Sequence, residues 1–252
     1  MGFPITQLRR VVIGETTSVL RLDKALAAAE KIAGRDGYIM TLPQLIDARL
    51  AASLGDLIWQ NWFTGLSEED HGMDKQGNKI YAVSHGKGPL TKSRRMKAVI
   101  DSHERLPYGY ARLSDRELAQ VLKNAIPLEE IKGKGQKLSE SYTLVGKVDK
   151  MRINPSGMVS LDDLRVDDRF LMAVGSEERR DTLLDKIKNE FHGQKYGNWH
   201  RIGDVDYAIP QGRLLFLGGY DGSGLIGNIN VDYYGRFLGV SAGGASRAGA
   251  HA

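Results

Sequence analysis

Leu214-Leu-Phe-Leu-Gly-Gly-Tyr-Asp-Gly-Ser-Gly-Leu-Ile-Gly-Asn-Ile-Asn-Val-Asp-Tyr-Tyr-Gly-Arg-Phe-Leu-Gly-Val240 is an apolar strand, a polar and aromatic centre rich in glycine, and a second strand. Within the centre, Gly222-Ser-Gly224-Leu-Ile-Gly227 has the spacing of a dinucleotide fingerprint. That fold needs a helix of about ten residues after the glycines and then a parallel strand with an acidic residue about 20 positions on. Only 25 residues follow Gly227, and they open with Asn228, Ile229, Asn230, Val231 and Asp232, which form helices poorly. The glycines therefore read as turn formers and not as a phosphate cradle.

Working outward, strands are expected at Val205–Ile209, Arg213–Leu217 and Gly235–Val240, making a small antiparallel sheet. Leu183, Leu184, Ile187 and Phe191 mark one face of a helix over Arg179–Phe191. Phe170–Val174, a continuous apolar run, reads as a buried strand, Leu161–Leu164 as a short helical turn and Tyr142–Val148 as a strand. Lys132–Lys137 reads as an exposed connection. Helices are also expected at Ser114–Asn124, where Ser114 and Glu117 form a capping box, and after Thr91 with Met96, Val99 and Ile100 inward.

The clearest helix starts at Thr41, a cap before Leu42 and Pro43, and continues through Ala52. Ile58, Trp59, Trp62 and Phe63 are expected to pack beneath it. Ser67, Glu68 and Glu69 lead into a turn-rich region, with Asp70–Asn78 as loop, Lys79–Ser84 as strand and His85–Pro89 as loop. Near the start, Leu8–Ile13 reads as a strand and Leu22–Ala33 as a helix capped by Thr17 or Ser18.

With 252 residues, 41% of them hydrophobic, the chain can bury a substantial core. Its net charge of +4, dispersed in mixed-sign runs, does not call for a nucleic-acid partner. The absence of cysteine excludes disulfides, thiolate metal sites and a Cys nucleophile, and fits a reducing interior. Neither a secretory leader nor an apolar run of about 18 residues is present, so a cytoplasmic or virion-associated protein without a membrane span is expected.

Enzymatic motifs fail one by one. His85-Gly-Lys-Gly lacks the G-K-[ST] ending of a phosphate loop, and Ser84 lacks the preceding glycine of a nucleophile elbow. His71, His85, His103, His192, His200 and His251 show no metal-ligand spacing and read as surface or capping residues. Asp162, Asp163, Asp167 and Asp168 do not form a calcium loop and read as solvated turns. No catalytic residue, metal or cofactor is assigned.

Leu217-Gly218-Gly219 and the closing Arg236-Phe237-Leu238-Gly239-Val240 resemble the C-terminal region of C-type-lectin-fold proteins. More narrowly, the stretch is similar to the variable proteins of diversity-generating retroelements, whose C-terminal variable region binds diverse ligands and is altered at adenines of AAC or AAT codons. The resemblance implies an α+β fold, C-type-lectin-like, with two main helices on small antiparallel sheets plus inserted loops and helices. Thr41–Ala52 and Arg179–Phe191 would be those helices. One domain over residues 1–243 is expected, with a variable region at 214–240 and a flexible tail at 244–252. Neither Glu-Pro-Asn, Gln-Pro-Asp nor Trp-Asn-Asp occurs, so calcium is not implied.

Adenine changes in such codons never yield Lys, Glu, Gln, Trp or Met. These five fill 46 of the 252 positions and none of Tyr220–Tyr234. Chance alone gives such a gap roughly one time in twenty, and turns deplete long side chains as well. The resemblance implies a non-enzymatic binding protein whose ligand, expected to be a protein, meets Tyr220, Asp221, Ser223, Leu225, Ile226, Asn228, Asn230, Asp232, Tyr233 and Tyr234. Tyrosines supply large contacts at small entropy cost, and the short polar residues supply adaptable hydrogen bonds. A monomer without a nucleic-acid partner is favoured. The alternatives are a nucleic-acid module using Lys87, Lys92, Arg94, Arg95 and Lys97, or a relative of the formylglycine-generating enzymes, whose cysteines are missing here.

Overall fold

The computed structural model describes residues 20–53, 55–102, 105–133, 138–199, 205–219, 224–226 and 234–241, with only the backbone described at 225, 226 and 234. In chain order the elements are β1 (Leu20–Arg21), α1 (Leu22–Ala33), β2 (Tyr38–Ile39), α2 (Leu42–Ala51), α3 (Leu57–Gln60), β3 (Phe63–Met73), β4 (Lys79–His85), α4 (Ser93–Asp101), β5 (Ala111–Arg112), α5 (Asp115–Leu122), β6 (Ile126–Pro127) and α6 (Leu128–Ile131). There follow β7 (Tyr142–Lys147), β8 (Gly157–Ser160), α7 (Leu161–Arg165), α8 (Asp168–Val174), α9 (Glu177–Glu190), β9 (Lys195–Trp199), β10 (Gln211–Leu217), β11 (Leu225–Ile226), β12 (Tyr234–Gly235) and β13 (Gly239–Val240).

One mixed sheet in the order β6-β7-β4-β3-β10-β11-β9-β8, with β5 also on β10, divides two cores. Against one face pack α2, α7, α8 and α9, burying Leu42, Leu45, Phe170, Leu171, Leu183, Leu184 and Trp59. The other face is covered by α1 and α4 through Leu22, Leu26, Val99, Leu214, Phe216 and Phe237. Two small sheets, β1-β12 and β2-β13, join the first described residues to the last. The α+β class is as expected, although the sheet is larger than expected and has parallel pairs at β6-β7 and β9-β11.

Local chemistry accounts for the helix starts. Thr41 N–H donates to Gln44 Oε1 at 2.8 Å, and Glu117 N–H to Ser114 Oγ at 3.2 Å, closing the two caps read from sequence. Trp59 lies under α2, its Nε1–H donating to Arg49 O at 2.8 Å, while Arg49 Nε–H donates to Ile58 O at 2.9 Å. Arg21 occupies the cap position of α1; Thr17, Ser18 and Leu8–Ile13 lie outside the described residues.

Five readings change. Phe170–Val174 is helical, because Asp167 caps α8 by accepting Phe170 N–H at 3.0 Å and Gly175 ends it at φ 85°. A helix buried on every side has the same unbroken apolar sequence as a buried strand. Asp167 is thus a buried cap and Asp168 a buried first-turn residue that accepts Arg152 N–H and pairs with Lys132, both at 2.8 Å, and neither is a solvated turn. Asp70–Met73 belong to β3, and the turn is confined to Asp74–Asn78, where Asp74 Oδ1 accepts the N–H groups of Gln76 and Asn78 at 2.9 Å. Around Val205–Ile209 the chain turns instead of pairing, with Ala208 N–H donating to Asp206 Oδ1. Finally, Gly235–Val240 is split into β12 and β13 on different partners.

Candidate functional site

β10 is the central strand that leads into Tyr220–Tyr234. It is buried from Gln211 to Leu217 between β3 and β11. Gly218 N–H donates to Gly224 O at 2.7 Å, so the described backbone on either side of residues 220–223 meets at one point. There β11 pairs antiparallel with β10 (Phe216 with Ile226) and parallel with β9 (Leu225 with Asn198). Gly224 has φ 69°, and a β-carbon on it would stand 2.1 Å from Gly197 O, so glycine is required.

The next described residues are those of β12, where Tyr234 pairs with Arg21 and Gly235 with Leu20. Arg236 then fixes the return. Its carbonyl accepts Thr64 N–H at 2.7 Å, its guanidinium bonds Asn61 Oδ1, and that group lies 5.4 Å from the Trp62 ring centroid. Phe237 and Leu238 are buried, and Leu238 O accepts Met40 N–H at 2.9 Å.

Of the ten expected contact residues, Leu225 and Ile226 occupy β11 and Tyr234 occupies β12. Tyr220, Asp221, Ser223, Asn228, Asn230, Asp232 and Tyr233 lie outside the described residues. Within the fifteen-residue segment, Leu225–Ile226 thus form a strand set into the sheet.

Farther back along β10, where Gln211–Leu214 pair with Glu68–His71 of β3, lies a polar cluster that the sequence did not disclose. Glu68, Glu69, Asp70 and His71 are fully buried on β3. Glu69 faces its cross-strand partner Arg213 of β10 and bonds it, while Tyr81 Oη–H donates to Glu69 Oε2 at 2.8 Å. Tyr110 Oη stands 3.3 Å from Glu69 Oε1 and 3.0 Å from His71 Nε2, and the Arg213 guanidinium stacks on the Tyr110 ring at 4.0 Å. Burial first, and the Glu69 charge second, push the Tyr81 and Tyr110 hydroxyls well above the usual phenol range. Glu69, Arg213, Tyr81 and Tyr110 thus bond one another, and this part of the cluster rivets β10 to β3. The only sequence hint was negative: no Gly, Pro or Asn interrupts Leu66–His71.

His85, expected in a surface loop, is also buried. Met172 O lies 3.0 Å from its Nε2 and can only accept, so Nε2 carries the proton and Nδ1 accepts from Ser67 Oγ–H at 2.8 Å. Ser67 Oγ in turn accepts Leu42 N–H at 2.9 Å. This relay joins β3 and β4 to the first turn of α2 and the end of α8. Burial pushes the imidazole down to about 3, so it stays neutral.

Of the basic residues considered for nucleic acid, Arg95 pairs with Glu117 at 2.7 Å and Lys97 with Asp101. Arg95, Arg112, Leu113, Ser114 and Glu117 line a pocket of about 430 Å³. Among the described residues no three His, Asp or Glu side chains converge as metal ligands, and no helix is long and apolar enough to cross a membrane.

No protein-family model and no curated protein matches the chain. A solved structure does, from work on the "accommodation of massive sequence variation in Nanoarchaeota by the C-type lectin fold". The two align with a TM-score of 0.70 at 29% sequence identity, over 87% of this chain and 93% of that one. The buried strands, the paired first and last described strands and this likeness together give the protein the C-type lectin fold.

Proposed function

We propose that the protein is a non-enzymatic binder whose ligand, a protein, is held by the residues of Tyr220–Tyr234, and that these positions vary between copies of the chain. One observation carries the reading: the described residues that flank 220–223 and 227–233 lie on paired backbone. The Gly218–Gly224 bond, β11, β12 and the Arg236 clamp supply that pairing. A scaffold secured in this way tolerates exchange at the displayed positions. The Nanoarchaeota lectin-fold structure that accommodates sequence variation supports the same reading by likeness.

The test exchanges residues 220–223 and 227–233 as sets for other adenine-reachable residues. Melting temperature should hold within a few degrees, as expected of substitutions away from packed features, while selection from a displayed library yields different protein ligands for different sets. Collapse of the fold on exchange would sink the proposal. The retroelement origin has its own check: a near-copy of the codons for Leu214–Val240, differing only at adenines, beside a reverse transcriptase. Pairing of Arg95 and Lys97 with carboxylates weakens the nucleic-acid alternative, and retention on a DNA column at physiological salt would restore it.

A further inference from the structure

On the opposite face of β3 from the Arg213 ion pair, Glu68 and Asp70 are two residues apart and point the same way. Both side chains are fully buried. Glu68 Oε2 accepts Leu90 N–H at 2.7 Å, but Glu68 Oε1 and both oxygens of Asp70 have no donor. Neighbouring elements bring no compensating charge. Across from the pair stand Ser84 and Ala82 on β4, and Leu214 and Gly212 on β10. Ser84 is occupied with Thr143 at 2.9 Å. From α5 comes another carboxylate, Glu117, whose partner Arg95 of α4 bonds it at 2.7 and 3.2 Å. Glu69, on the same strand, faces the other way toward Arg213.

Three buried acceptors without a donor are costly, and two adjacent carboxylates without a cation more so. A single proton resolves both problems, because it turns one acid into a donor for the other. We propose that Glu68 and Asp70 hold one proton between them at neutral pH, and that its loss to solvent in alkaline solution releases the Gly88–Thr91 segment from β3. The segment covers the pair directly: Glu68 holds the Leu90 amide, and a β-carbon at Gly88 would stand 2.0 Å from Glu68 Cδ. Ionised Glu68 by itself would grip Leu90 N–H more tightly, so release is driven by the like charge of Asp70 and the hydration that two buried carboxylates demand. Burial, then each carboxyl's acidic neighbours, raise Glu68 well above the carboxylate range and Asp70 to about 7, in the same direction as the geometry.

The experiment is a carbon-13 NMR titration of the side-chain carboxyls of the full chain, with amide exchange of Leu90 followed in parallel. One of the pair should stay protonated above neutral pH. In alkaline solution Leu90 exchange should then steepen beyond the roughly tenfold per pH unit of simple base catalysis. In Asp70→Asn and Glu68→Gln, whose amides supply the donor permanently, that excess steepness should vanish. Both carboxyls titrating together near pH 4, or equal exchange slopes in wild type and a folded variant, would overturn the proposal. If neither variant folds, the wild-type titration decides alone.

Discussion

Gly224 packs so tightly on Gly197 that a β-carbon added to Gly224 would stand 2.1 Å from the Gly197 carbonyl oxygen and 2.5 Å from its Cα. The contact is backbone on backbone, so neither side can yield cheaply. It lets β11 lie parallel to β9.

Gly224→Ala should therefore destabilise by about 2–4 kcal/mol, combining positive-φ strain with overpacking. Gly34 provides the control, since it has φ 65° with nothing within 4 Å of its added β-carbon. Gly34→Ala should cost only about 1 kcal/mol. Urea denaturation of both variants measures the difference.

Arg236→Ala should weaken the hold of the chain after β12 on Asn61–Thr64, with the Asn61 bond and the stack on Trp62 both lost. A loss of about 1–2 kcal/mol is expected. Faster amide exchange at Thr64 should accompany it, because Thr64 N–H is bonded to Arg236 O. Arg236→Lys keeps the charge over the ring but not the planar fork, so it should fall between the two.

Arg213→Met removes one partner of a fully buried ion pair and leaves Glu69 charged in the core. Such losses run to about 3–5 kcal/mol. Adding Glu69→Gln should recover part of that cost, and a double-mutant cycle on thermal melting would measure the recovery.

Stability should fall as the solution is acidified through the histidine range. His85 titrates at about 3 when folded and near 6.5 when unfolded, so between those values the unfolded chain binds more protons. Its contribution is complete above about 6.5 and is lost progressively below, by up to a few kcal/mol. His85→Gln should lower stability at pH 7 but flatten the profile between about pH 6.5 and 4. An unchanged slope in the variant would count against this account.

The sequence disclosed what depends on local pattern. Thr41 with Pro43, Ser114 with Glu117, and the spacing of Leu183, Leu184 and Ile187 mark helices whose caps and buried faces are as read. It concealed what depends on partners distant in the chain. Glu68, Glu69 and Asp70 resemble a solvated turn because their hosts, Arg213, Tyr81, Tyr110 and the Leu90 amide, come from separate segments. β11 was hidden for the same reason: two residues have no periodicity, and only β9 and β10 make them a strand. The C-terminal frame of the candidate site was thus legible, but the strand β11 within it was not.

The pairing of Leu20–Arg21 with Tyr234–Gly235, and of Tyr38–Ile39 with Gly239–Val240, bears on synthesis as well as on shape. During translation α1 leaves the ribosome early, yet Phe237 and the strands that complete its surroundings leave last. The domain cannot close until residues 234–240 have been made. A substitution that obstructs that closure leaves the apolar side of α1 exposed to chaperones and proteases, so such a chain is culled before it finishes folding.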